Sequence, residues 1–173
     1  MGTSIETPIK LFLRRVEEDK KFFNYYNLMP FEAMDLAKQR AEHFLEEAIY
    51  RITIECQLEV DFTKRDAEGN FTFEWTAQEK CLIPSLMYEV YLSRTFAYLK
   101  DLNVNFTSSE LKVFDPSNAR KSFLELYNKV KEENEHLIAR YRDTERSDGS
   151  YKTVNFATYD FSWGGDYAGY KLL

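Results

Sequence analysis

Apolar residues recur along the chain in three stretches at helical spacing, fill a fourth almost without interruption, and alternate in three more. Ile9, Phe12, Leu13 and Val16 stand at i, i+3, i+4 and i+7, one face of a short helix introduced by Thr7-Pro8. After Met29-Pro30, the positions Met34, Ala37, Ala41, Phe44, Leu45, Ala48, Ile49 and Ile52 make a long stripe over residues 31–54. Glu32, Asp35, Lys38, Arg40, Glu42, Glu46 and Glu47 occupy the opposite face, and the alanines would let a second helix approach closely. Asp115-Pro116 opens a last helix over 117–145, with Phe123, Tyr127, Val130, Asn134, Leu137 and Tyr141 spaced three and four apart.

The stretch 76–105 differs from these. Between Cys81 and Leu99 only Glu89 and Arg94 are charged, and apolar side chains point nearly all the way round a helical wheel. Such a helix is covered by neighbours on several sides. Thr76 followed by Glu79 is a capping box, a hydroxyl and a carboxylate each satisfying a free backbone N–H. Pro84 predicts a kink, or alternatively a helix that begins there. Two charges and a proline argue against a membrane span.

Alternation replaces the helical period at Leu58, Val60 and Phe62 and again at Phe71, Phe73 and Trp75. Arg65 to Asn70 between them is rich in turn formers, so a β-hairpin is expected at about 58–75. Beyond Ser147-Asp148-Gly149-Ser150 the helical patterns end. The last stretch then carries Tyr151, Phe156, Tyr159, Phe161, Trp163, Tyr167 and Tyr170, the middle three of which alternate. Disordered tails are poor in rings, so this one is expected to be covered, by a neighbouring molecule in the first reading. The expected organisation is a mainly α helical bundle of about four helices over 1–146, with the hairpin inserted, and an extended aromatic C-terminal arm over 147–173.

With 173 residues the chain suffices for one core, and a net charge of -6 gives no electrostatic case for a phosphate-binding surface. Twelve Tyr and fourteen Phe exceed what one small domain shelters, and tyrosines favour protein interfaces. Cys56 and Cys81 lack metal or redox spacing and are expected as reduced core thiols. Arg14, Arg15 and residues 17–19 interrupt any signal-peptide-like run, so synthesis in a cytoplasm is expected.

Catalytic patterns are lacking. His43 and His136 sit among charged residues, and no zinc-protease, nucleophile-elbow or glycine-rich phosphate motif is present. Glu46-Glu47 and Glu132-Glu133 miss the Glu-x-x-His spacing of di-iron bundles, and Asp61, Asp66, Glu68 and Asn70 miss that of an EF-hand. No enzymatic activity, cofactor or metal is expected.

The order of parts, carried by residues 33–37 through 48–50, by 79–82 through 91–92 and by the 123–141 helix, resembles the head–tail connector (adaptor, head-completion) proteins of tailed bacteriophages. The resemblance spans roughly residues 7–145 and rests on lengths and faces. It implies a virion protein, assembled in the host cytoplasm, in a homo-oligomeric ring of commonly twelve subunits under the portal protein. Such a ring continues the DNA channel, with DNA only as passing cargo and no membrane, and docks the tail or the next connector. An acidic lumen would keep the duplex mobile. The partner interface would then comprise Tyr151, Phe156, Tyr159, Phe161, Trp163, Tyr167 and Tyr170 of the arm with Phe71, Phe73 and Trp75 of the hairpin. The rival expectation is a monomeric helical binding or regulatory protein whose arm folds over a groove as a lid.

Overall fold

The computed structural model describes residues 2–19, 22–23, 28–56, 58–105 and 116–153. It is mainly helical: α1 (Glu6–Arg15), α2 (Pro30–Glu55), α3 (Ala77–Asn105) and α4 (Pro116–Asp143). Each follows its apolar stripe to within a few residues. Pro30 sits in the first turn of α2, where its missing N–H costs nothing, and Glu32 Oε2 accepts from the Met29 N–H at 3.0 Å. At α3 the capping box forms as the sequence predicts. The Thr76 N–H donates to Glu79 Oε2 at 2.7 Å, and the Glu79 N–H donates to Thr76 Oγ1 at 3.3 Å. The helix starts at Ala77, so Pro84 lies inside α3 and is not its first turn.

α3 is the axis of the fold, and α1, α2 and α4 all pack on it. Six consecutive residues, Leu82 to Met87, are buried, which a helix achieves only when neighbours surround it. Each such leucine, isoleucine or methionine contributes about 1.5–3 kcal/mol by leaving water. The pairs Arg51–Glu89 and Glu47–Arg94 show α2 antiparallel to α3. Glu79–Tyr141 and Ser85–Asn134 show the same for α4, so α2 and α4 run parallel, and α4 extends past the end of α2 toward the start of α3. Ala37, Ala41 and Ala48 of α2 are fully buried, the close approach that small side chains allow. Met34, expected on the same stripe, is exposed, because the packing reaches only as far as Ala37 in that direction. Ile138 joins Val130, Asn134 and Tyr141 in the buried seam of α4. Phe12, Phe22, Phe44 and Tyr91 meet edge to face or tilted across α1, α2 and α3, with centroids 5.5–6.4 Å apart.

Over 58–75 the alternation predicts two paired strands, and among the described residues no strand forms there. A single antiparallel bridge joins Arg65 to Phe71 around Gly69, whose φ is +81°. The backbone of 71–73 bonds instead to the N-terminal segment: the Phe71 N–H donates to Thr3 O, and the Thr3 N–H to Phe73 O, both at 3.0 Å. The approach is so close that a Cβ on Gly2 would stand 1.7 Å from the Phe71 carbonyl oxygen. An isolated hairpin gains little in water, and here Phe62, Phe71, Phe73 and Trp75 collapse into a ring cluster of their own, with centroids 4.6–6.5 Å apart.

The chain does not leave the bundle at residue 147. Gly149, with φ +73°, turns it back. Thr144 and Tyr151 then form an antiparallel bridge, and the Lys152 N–H donates to Asp143 O at 2.8 Å. Residues 147–153 therefore belong to the body, although the sequence places them in the arm. Among the described residues no helix is long and apolar enough to cross a membrane.

Candidate functional site

Two buried carboxylates on α3 organise the polar interior. Glu79, with no exposed surface, accepts hydrogen bonds from Tyr141 Oη at 2.8 Å and from Arg146 Nε at 2.7 Å. Ten residues on, Glu89 accepts from Arg51 Nη1 at 2.6 Å and from Asn134 Nδ2 at 2.8 Å. Asn134 also accepts from Ser85 Oγ at 2.6 Å and donates to the Ser85 carbonyl at 3.2 Å. The polar member of the α4 seam is thus fully paired, and the cluster Arg51–Glu89–Asn134 ties α2, α3 and α4 at one level. Burial and the Glu79 carboxylate together hold the Tyr141 hydroxyl far above the usual phenol range. For Tyr91, burial and its bond to Asp19 act in the same direction.

Beside this cluster a groove runs along α2 and α3 and reaches α4 at Tyr127. Its wider part, about 420 Å³, lies between Tyr50, Arg51 and Ile54 of α2 and Val90 of α3. A narrower part, about 150 Å³, continues past Glu47, Ser93 and Arg94 to Tyr127 of α4. Tyr50 and Ile54 are 72% and 71% exposed, so two large apolar side chains stand on the rim in water. The charges around them are spent on each other: Glu47 pairs with Arg94, and Arg51 with both Glu55 and Glu89. The groove is therefore mainly apolar, and the charged side chains around it are ion-paired with one another.

A second concavity of about 250 Å³ lies between the start of α3 and the end of α4, lined by Gln78, Cys81, Leu82, Leu137 and Arg140. Cys81 is exposed at its edge and is not the core thiol that the sequence suggests, because the first turns of α3 are covered on one side only. Cys56 is buried, and desolvation pushes its thiol up. A third apolar surface lies at the beginning of α2, where Met29 and Phe31 are 63% and 67% exposed, beside Leu28 and Met34.

The residues expected at a partner interface fall into three groups. Phe71 and Trp75 are buried in the chain's own ring cluster and Phe73 is half-buried, so as an interface these three are corrected to core. The cause is the collapse of residues 62–75 onto the N-terminal segment. Tyr151 is 74% exposed. Phe156, Tyr159, Phe161, Trp163, Tyr167 and Tyr170 lie outside the described residues. Sequence reading missed Tyr50 and Ile54. The signal was there, since both break the polar face of α2. His43 and His136 are exposed on α2 and α4, and among the described residues no group of three or more His, Cys, Asp or Glu could hold a metal ion.

No family model, no curated protein and no solved structure matches the chain.

Proposed function

We propose that this chain is a structural assembly subunit and, following the order of its parts, a head–tail connector that forms a ring under the portal of a tailed bacteriophage. The ring continues the DNA channel and offers the tail or the next connector layer a docking face. The observation that carries the proposal is the apolar surface at the start of α2. Phe31 and Met34 are three residues apart on one helix face, preceded by Leu28 and Met29, and all four are exposed and stand outside the core of the described residues. Aromatic residues and methionine are enriched where proteins meet. A ring subunit makes head-to-tail contacts, so it needs one such patch and a different surface on its neighbour to receive it. In the assembled ring, the chain beyond residue 153 acts as an extended arm that a neighbour covers.

The test is light scattering and electron microscopy of the full chain across a concentration series. Closed rings of uniform size are expected, and Phe31→Arg should shift the population to monomers while leaving the helical content unchanged. A chain that stays monomeric at every concentration, or rings indifferent to Phe31→Arg, would overturn the proposal.

A further inference from the structure

We infer that the concavity between the start of α3 and the end of α4 binds a linear monocarboxylate of about ten carbons, with its hydrocarbon chain in the apolar hollow and its carboxylate on Arg140. The inference concerns a surface that the ring proposal does not use, and it holds or falls without it. The hollow measures about 250 Å³, and Leu82, Leu137 and Tyr141 line it together with Ala77 and Cys81 of α3. Tyr141 offers it a ring and no free hydroxyl, because Tyr141 Oη is already bonded to Glu79 at 2.8 Å. An apolar cavity of about 150 Å³ accepts a benzene ring. By the same scale this hollow takes a chain of about ten carbons.

The mouth is different in kind. Ala77, Gln78 and Arg140 also line a polar hollow of about 490 Å³ that continues past Thr76, Arg146 and Ser147. The charges there are satisfied with one exception. Arg146 Nε pairs with Glu79 at 2.7 Å, and Asp148 Oδ1 accepts from the Ser150 N–H at 2.9 Å. Among the described residues the Arg140 guanidinium has neither an ion-pair nor a hydrogen-bond partner, and it stands exposed where the two hollows meet. A guanidinium holds a carboxylate through two parallel N–H bonds, which fixes the direction of the bound molecule. A second charge on that molecule would enter the apolar hollow without a partner, so the occupant carries one. Each methylene that leaves water raises affinity roughly fourfold. Chain length therefore sets the strength of binding, and Arg140 sets its orientation.

Cys81, exposed at the edge of the hollow, reports whether it is filled. With the full chain and decanoate below its micellar concentration, alkylation of Cys81 should slow at least about tenfold at saturation, and octanoate should be needed at roughly tenfold higher concentration for the same effect. Arg140→Gln, at an exposed position, should weaken decanoate about tenfold and leave 1-decanol unchanged. Leu137→Trp should fill the hollow and abolish protection with helical content preserved. Ala77→Trp, at an exposed position, serves the same purpose should Leu137→Trp unfold the chain. Alkylation indifferent to decanoate, octanoate as effective as decanoate, decanoate binding indifferent to Arg140→Gln, or protection that survives a folded tryptophan variant would overturn the inference. Phe31→Arg should leave protection of Cys81 intact whatever it does to rings, which separates this inference from the ring proposal.

Discussion

Asn134 shows how one side chain sets the register of three helices. It is fully buried and satisfies Ser85 and Glu89 together, while Glu89 holds Arg51. Asn134→Leu would leave a buried hydroxyl and part of a buried carboxylate without partners, so unfolding in urea should show a loss of about 2–3 kcal/mol. The two cysteines should separate cleanly: an alkylating reagent is expected to modify Cys81 in the native chain and to reach Cys56 only in denaturant, read by mass spectrometry. The buried tyrosines set an alkaline limit. Tyr141 and Tyr91 are held above their unfolded pKa of about 10, chiefly by burial, so the folded state keeps protons that the unfolded state releases. Their contribution is complete below that pH and is lost as pH rises past it. Thermal melts from pH 8 to 11 should show Tm falling above about pH 10, with a shallower fall in Tyr141→Phe.

At the scale of elements, the helices were legible because their apolar positions repeat with the helical period and their starts carry local signals. Thr76 and Glu79 needed no tertiary partner to form a cap. The hairpin was not legible, because alternation reports only that every second side chain is sheltered. It does not say which backbone lies alongside, and here Thr3 takes that place. The return at Gly149 is a device of the same kind, local in cause and long in reach. Its φ of +73° is strained for any side chain, while the space around it is open, with only Gln78 Nε2 at 3.7 Å. Gly149→Ala should therefore cost about 1 kcal/mol through the backbone alone.

At the scale of the whole molecule, apolar surface is distributed unevenly. α3 is sheltered on every side along Leu82 to Met87, while α2 is buried along one stripe and exposes Phe31 at its start and Tyr50 and Ile54 near its end. These two surfaces lie at opposite ends of a 26-residue helix, with Phe31 and Ile54 about 35 Å apart at the helical rise. Acidic residues such as Glu42 and Glu46 of α2 and Glu132, Glu133 and Glu135 of α4 remain exposed. The full chain passed over a duplex-DNA column at low salt is accordingly expected in the flow-through, and retention reversed by salt would contradict an acidic channel wall.

The order of apolar and polar residues determined by itself that four helices form, where three of them start, and that the third is the one enclosed, because these are properties of near neighbours along the chain. Only the tertiary structure decided which rings became core and which remained surface. Phe71 and Trp75 follow the same alternation as the arm's rings, yet they are buried because Gly2 and Thr3 fold across them from seventy residues away. Burial depends on what arrives from elsewhere in the chain, and a repeating pattern carries no record of that.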